Sequence, residues 1–166
     1  MGKLARELAQ PSQALMTALL RSYADEWFAH YNYFVVSLAV KGPSAASISE
    51  LLRQRSVHAL GRAERLADRI IQLGGEPPMK LMALVDHATD KPFKLPDSLD
   101  DVEGLLKAVL DAERTTLRLQ RRIYDLAQEH DPVTAALAIE LMHEAERGEQ
   151  QMQTLLGSEA PEMTGE

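Results

Sequence analysis

The sequence contains no cysteine, which excludes disulfide bonds, thiolate metal ligands and thiol catalysis. Aromatic residues are also scarce, at 5% of the chain. No segment approaches the roughly 18 uncharged apolar residues that would suggest a transmembrane helix. Residues 1–12 have no apolar run of the length that a signal peptide needs. We therefore predict a soluble, cytoplasmic protein with no membrane partner.

The chain is also short of positive charge, with a formal net charge of −7. Duplex DNA binding requires a basic surface that neutralises phosphates. Residues 1–12 supply only Lys3 and Arg6, and a basic stripe at Arg114, Arg118, Arg121 and Arg122 is more simply read as a solvated helix face. The charge balance therefore argues against nucleic acid as a partner.

Residues with good helix propensity dominate what is present, so we predict an all-α protein. Ser47 and Glu50 have the spacing of a capping box, and an Asp-Pro step is a strong helix start. Gly-Pro and Gly-Gly steps indicate helix ends. The predicted helices run from about Ser12 to Val40, from near Ser47 to Leu73, from near Ser98 to about Glu129, and from Asp131 to near Gly157.

The links between these helices predict the topology. The first and third links are short, so helices one and two, and three and four, form antiparallel hairpins. A long crossover joins helices two and three, and residues 79–88 within it could form a short extra helix. We predict one antiparallel four-helix bundle over residues 13–157, with an N-terminal arm at 1–12 and a flexible tail at 158–166.

Helix four contains an E-x-x-H at Glu140 and His143, a spacing that can place two ligands on one metal. However, its small and apolar residues recur with the 3-4 spacing of a bundle core, which puts Glu140 and His143 on the outer faces. The predicted core positions are Ala138, Leu141, Ala145, Gly148, Met152 and Leu155.

Two carboxylates fall on inward stripes of the other helices. Glu26 lies on the helix-one stripe with Leu19, Tyr23, His30 and Tyr33, and Glu113 on the helix-three stripe with Leu106, Val109, Leu117 and Gln120. The helix-two stripe is Leu52, Arg55, Ala59, Arg62 and Leu66. Buried carboxylates need a metal, a shared proton or a cation. A polar network without chemistry is an equally good interpretation of the spacing.

Three stretches resemble bacterioferritins and Dps-like proteins of the ferritin-like superfamily. Residues 24–42 ("ADEWFAHYNYFVVSLAVKG") resemble the first helix of that family, residues 58–78 ("HALGRAERLADRIIQLGGEPP") the second, and residues 105–150 the third and fourth. The resemblance covers nearly all of residues 14–156. It implies a ferritin-like bundle and, in typical members, oxidation of Fe(II) at a di-iron centre inside it.

The resemblance also implies ligand positions, and four of the six are altered here. Glu26 and Glu113 match the glutamates of helices one and three, and Tyr33 matches a tyrosine near the site. The other positions, where the family has Glu-x-x-His on helices two and four, hold Ala59, Arg62, Ala145 and Gly148. The family's haem-binding methionine position is Leu60, which argues against b-type haem.

We therefore predict that Arg62 reaches between Glu26 and Glu113 in place of iron, because an arginine remains charged and repels metal cations. The standard ferroxidase centre would then be inactive and its centre free of cofactor, although iron remains possible by family resemblance. The alternative is a non-standard mononuclear metal site built from Glu26, Glu113, His30 or His58.

Three functions follow from the resemblance. The first is a cage-forming, homo-oligomeric protein of iron storage and detoxification, which could hold iron through surface carboxylates such as Glu140, Glu144 and Glu146. The second is a non-catalytic pseudo-ferritin, either a cage or a dimer, that acts as a structural shell or binds a different ligand. The third is a DNA-protecting protein, which the charge and the short arm make least favoured.

Overall fold

Four long helices and one short helix make up the part of the chain described by the computed structural model, residues 11–89 and 94–157. Those ranges contain no β-strand, so the all-α prediction is confirmed. Residues 1–10 and 158–166, which include most of the predicted arm and the whole of the predicted tail, lie outside them. The helices are α1 Gln13–Ala39, α2 Ala45–Gln72, α3 Leu81–Leu84, α4 Val102–Ala127 and α5 Pro132–Leu155.

Two helix starts follow the predicted signals. The Ser12 side chain accepts a hydrogen bond from the Leu15 N–H at 3.1 Å and caps α1. Asp131 accepts from the Thr134 N–H at 3.0 Å, with Pro132 in the first turn of α5. Gly74 follows α2 with a φ of 86°, the left-handed conformation that ends many helices.

Two other starts were wrongly predicted. Helix α2 begins at Ala45 because the Gly42–Ser44 turn already closes its first turn, with the Ala45 N–H bonded to the Gly42 carbonyl at 3.1 Å. Ser47 is therefore inside the helix and forms no capping box; its hydroxyl donates to the Ser44 carbonyl. Helix α4 begins at Val102, since Asp101 rather than Ser98 caps it by accepting from the Gly104 N–H at 2.9 Å.

The helices pair as the predicted topology requires. Helix α1 packs along α2, α4 packs along α5, and α1 also contacts α4. The crossover from α2 to α4 carries the short helix α3 in the segment predicted for it. Helices α2 and α5 are joined chiefly by long side chains, among them arginines at 55, 65 and 69 of α2 that bond residues of α5 or its cap. No helix in the described ranges is long and apolar enough to cross a membrane.

Two apolar clusters fill the interior, one toward each end of the bundle, with a polar layer between them. One cluster contains Leu19, Leu66, Ile123 and Leu141, and the other contains Tyr33, Leu52, Val109 and Met152. Most residues predicted to point inward are therefore buried. The prediction that Leu155 belongs to the core was wrong, because this residue lies at the end of α5 and is 52% exposed. Leu117 is only half-buried because Leu119 and Gln120 take the inward positions.

Candidate functional site: a buried arginine–carboxylate layer

Glu26 is the first carboxylate of the polar layer. It lies near the middle of α1, is 1% exposed, and accepts from Arg62 Nε through Oε2 at 2.9 Å. Its Oε1 accepts from the Thr116 hydroxyl of α4 at 3.0 Å. Burial raises the pKa of Glu26, and the adjacent Arg62 cation offsets part of that rise. Both carboxylate oxygens are thus bonded to protein donors.

Glu113 of α4 is equally buried and lies between two guanidinium groups. Its Oε2 is 3.4 Å from Arg62 Nη1, and its Oε1 is 3.4 Å from Arg55 Nη1. The two carboxylates and two guanidinium groups carry equal and opposite charge. The layer is therefore neutral as a set, which is what burial away from water requires.

Arg62 is the centre of this arrangement. It is 1% exposed, so nearly all of its side chain is enclosed by the four long helices. Burial alone would lower its pKa, but the charges of Glu26 and Glu113 outweigh burial and raise it above its ordinary value. Arg62 therefore stays a cation, at the place where the family resemblance puts a histidine ligand.

Arg55 is a second arginine of the layer, to which sequence reasoning assigned no role. It is 6% exposed, and its Nη2 donates to the Gln151 side chain of α5. Arg69 is a third buried arginine; it donates to Asp131 at 2.6 Å and to Thr134 at 2.6 Å. The seven-residue spacing of Arg55, Arg62 and Arg69 was the signal, because it keeps residues on one seam of a bundled helix.

Asp131 is the carboxylate that pairs with Arg69. Burial would raise its pKa, but hydrogen bonds from Arg69 and Thr134 outweigh burial and hold it below the ordinary value. The same carboxylate caps α5 through the Thr134 N–H. Arg69 and Asp131 thereby join the end of α2 to the start of α5.

Small residues make room for the arginines. Ala59 and Ala145 are fully buried and carry no polar group. A Cβ built on Gly148 would lie 2.7 Å from Arg55 Nη1 and 2.7 Å from the Glu113 carboxyl carbon. Any side chain at position 148 would therefore displace Arg55 or Glu113, which means that the missing histidine and the present arginine are sterically linked.

Tyr33 lies in the apolar cluster beside this layer and is fully buried. Burial raises the pKa of its phenol, and the charge of Glu113 raises it further. Tyr33 is therefore a neutral phenol at physiological pH. The structure places it near the carboxylates, where the family resemblance implies a tyrosine.

The two candidate histidines do not join Glu26 and Glu113. His30 Nδ1 lies 3.0 Å from the Ser56 carbonyl oxygen and 2.9 Å from its hydroxyl, against α2. His58 is exposed on the outer side of α2. Across residues 11–89 and 94–157, no three Asp, Glu or His side chains are grouped so that they could hold a metal ion. The alternative mononuclear site is thus not assembled.

The residues present do not fit a di-iron centre. The two retained glutamates are already paired with guanidinium groups, and the four other implied ligand positions hold Ala, Arg, Ala and Gly. The half-buried Leu60 offers no thioether to a haem. Within one subunit, the side chains of the layer are joined by ion pairs and hydrogen bonds.

The E-x-x-H of α5 lies on the protein surface. The side chains of Glu140 and His143 are 67% and 70% exposed. His143 Nδ1 is 3.4 Å from Glu146, one turn along the same helix, and Glu140 is 3.9 Å from Arg65 of α2. These contacts are ordinary surface pairs and hold no metal geometry.

Comparison with known proteins identifies the family of this chain. A family profile described as "Ferritin-like domain" matches residues 16–160. The chain is 28% identical over 132 residues to the DNA protection during starvation protein of Pyrococcus furiosus, covering 80% of this chain and 71% of that protein.

Solved structures agree in fold. The structure of the dodecameric thioferritin of Bacteroides fragilis, a bacterioferritin-related protein, matches with a TM-score of 0.86 and 26% identity, over 95% of this chain and 94% of that one. Dps from Thermosynechococcus elongatus matches with a TM-score of 0.79 and 17% identity, over 98% and 100%. At that lower identity the likeness concerns the fold alone.

Proposed function

Because the chain belongs to the ferritin-like domain family, we propose that it is a homo-oligomeric, cage-forming subunit that stores and detoxifies iron without an intrasubunit ferroxidase centre. The observation that carries the absence of a ferroxidase centre is the Arg62 guanidinium, which is bonded to Glu26 at 2.9 Å and lies 3.4 Å from Glu113. The cage-forming, iron-storing function rests on the family and on relatives that include a dodecameric thioferritin.

Electrostatics support the loss of the centre. A divalent ion 4 Å from a guanidinium is repelled by about 8 kcal/mol at an effective dielectric constant of about 20. Arg62 and Arg55 would both exert this repulsion on iron bound by Glu113. Arg62 cannot be neutralised by deprotonation at physiological pH, so iron binding would require the buried guanidinium groups to be expelled.

Iron could still be retained outside the bundle centre. The outer face of α5 carries Glu140, Glu144 and Glu146, and carboxylates are suitable ligands for iron. Because the described residues of one subunit do not group them into a metal site, iron would have to bind them loosely or between subunits. In this account the shell holds ferric iron that forms by slow oxidation in air. It does not accelerate the first oxidation step within each subunit.

The test adds Fe(II) in air at two ions per subunit and follows ferric absorbance. The expected rate equals that of a protein-free control, while the iron then co-elutes with an assembly much larger than one subunit in size-exclusion chromatography. A fast phase that saturates at two ions per subunit would refute the inactive centre. A monomer in solution would refute the cage.

A restored variant provides the positive control. It carries the implied ligands at the four altered positions. Arg55 is replaced as well, because position 148 cannot accept a side chain beside that arginine. It should gain a saturable fast phase that the wild type lacks, and adding Glu113→Gln should abolish it. The substitutions are Ala59→Glu, Arg62→His, Ala145→Glu, Gly148→His and Arg55→Leu.

The buried arginine layer also favours a second candidate, a non-catalytic shell that binds no iron. Arg55 and Arg62 join helices of the bundle where the family resemblance implies metal chemistry. This candidate predicts the same assembly by light scattering but no iron co-eluting with it. The iron content of the purified shell after loading distinguishes the two.

We also propose that the protein does not bind DNA, although one relative is named for DNA protection. The net charge of −7 opposes the counterion release that drives phosphate binding. A duplex mixed with the assembled protein at low salt should migrate unshifted. A shift that disappears with rising salt would refute this part of the proposal.

A further inference from the structure

An open cleft lies between α2 and α5, directly outside the buried layer. Its volume is about 460 Å³, which is ample for a small ion with its remaining hydration shell. The buried Arg55 is one of its lining residues, so the cleft reaches the edge of the buried layer. The residues that matter to the argument are Arg55, His58, Gly61, Arg65, Glu144 and Arg147.

The lining of the cleft is basic in a chain that is acidic overall. Three guanidinium groups face one carboxylate, that of Glu144. Arg65 donates to Glu144 at 2.7 Å and to the Gly61 carbonyl at 3.3 Å. Arg147 is exposed and forms no ion pair with any residue in the described part of the chain. Glu113 balances the charge of Arg55 and Glu144 balances that of Arg65. Among the described residues, Arg147 therefore supplies the positive charge of the cleft that has no ion-pair partner.

Gly61 is an independent sign that the space is kept open. It lies in the interior of α2, where a glycine costs about 1 kcal/mol relative to alanine. A Cβ built on it would have no atom within 4 Å among the described residues. No packing contact explains the glycine, in contrast to Gly148, and its bare backbone borders the cleft.

The pKa of His58 reflects the burial and the charges around the cleft. Burial lowers its pKa, and the charges of Arg55 and Arg62 lower it further, against smaller opposing effects of Glu144 and Glu113. The imidazole on the rim is thus uncharged at neutral pH, chiefly because of its burial and further because of the guanidinium groups that an incoming anion would meet. It can donate one N–H hydrogen bond to an anion whose charge the guanidinium groups balance.

We propose that this cleft is a binding site for a phosphate-like oxyanion, held by the guanidinium groups of Arg55, Arg65 and Arg147. Guanidinium groups bind tetrahedral oxyanions through paired N–H donors, and such charge-assisted bonds are among the strongest in proteins. Arg55, which lines the cleft, uses one N–H of each terminal nitrogen for Glu113 and Gln151, so each terminal nitrogen keeps a second N–H donor. This site does not depend on whether the protein stores iron.

The test is calorimetric titration of the iron-free, assembled protein with inorganic phosphate, at constant ionic strength maintained by chloride. We expect one saturable site per subunit. Arg147→Gln should weaken binding at least tenfold, whereas Arg53→Gln, a matched loss of an exposed α2 arginine outside the cleft, should leave it unchanged. Sulfate and a phosphate monoester, titrated in parallel, separate a general oxyanion site from one that recognises a phosphorylated metabolite.

A second readout locates the ion. Bound phosphate adds negative charge beside His58, so the pKa of that imidazole, followed by NMR on histidine-labelled protein, should rise on addition of phosphate. In Arg147→Gln the rise should require at least tenfold more phosphate. Absence of saturable binding, equal loss in Arg147→Gln and Arg53→Gln, or an unchanged His58 pKa at saturation would each overturn the proposal.

Discussion

Replacing Arg62 by methionine tests whether the buried layer depends on its central cation. Methionine retains much of the length of the arginine side chain but has no charge and no N–H donor. Glu26 would lose its bond at 2.9 Å and keep only the Thr116 hydroxyl. Glu113 would lose one of its two guanidinium neighbours and keep Arg55. The cost therefore falls mainly on Glu26.

The expected magnitude follows from the burial of both partners. Removing one member of a buried ion pair typically costs about 3–5 kcal/mol, because an uncompensated charge remains away from water. Burial already raises the pKa of Glu26, and loss of Arg62 would raise it further. A carboxyl with a raised folded-state pKa destabilises the fold as pH rises through that pKa. The deficit of Arg62→Met should thus be small near pH 4.5 and large at pH 8.

The assay is urea unfolding at fixed subunit concentration, because assembly contributes to the apparent stability. Arg62→Met is compared with Arg65→Met, whose arginine is 36% exposed and pairs with Glu144, and which should lose less than about 1 kcal/mol. Adding Glu26→Gln to Arg62→Met should recover part of the loss. The reasoning is refuted if Arg62→Met costs no more than Arg65→Met, or if its cost does not grow with pH.

Four further variants have expected outcomes. Gly148→Ala should destabilise by about 1–3 kcal/mol because its Cβ meets Arg55 and Glu113, whereas Gly61→Ala should stabilise by about 0.5–1 kcal/mol in the same unfolding assay. The pKa of Asp25 is raised from 3.8 to about 6, mainly by burial, so the free energy of unfolding of the wild type should fall as pH rises from about 4 to 7. Asp25→Asn can keep the Thr89 N–H bond at 2.8 Å, should remove that fall, and should be about 2 kcal/mol more stable than the wild type at pH 7.5. Urea unfolding across this pH range would measure both effects. Arg69→Met should cost about 3 kcal/mol and expose α5 amides near Asp131 to faster hydrogen exchange, while unchanged exchange would contradict the role of this pair.

Local periodicity predicted the elements and most of the core because a bundle helix must bury one seam. Glu26, Arg62 and Glu113 could be placed inward on that basis alone. The helix starts at Ala45 and Val102 were missed, since two cap candidates lay within a few residues and only the turn geometry distinguishes them.

The arginine partners were only partly predictable. Arg55 lies on the predicted seam, but its contact with Glu113 depends on the space left by Gly148, which is a property of packing between helices. The cleft was not predictable because it depends on the separation of α2 and α5. No spacing within one helix indicates that Gly61 and Arg147 border the same space.

The central claim is that arginine, not iron, occupies the place between Glu26 and Glu113. Crystals grown or soaked with Fe(II), measured on both sides of the iron absorption edge, test it most directly. We predict no anomalous peak within 4 Å of either carboxylate, a distance taken as roughly the limit of ion pairing, and a guanidinium in that position. Two iron peaks bridged by Glu26 and Glu113, with Arg62 turned away, would contradict the account.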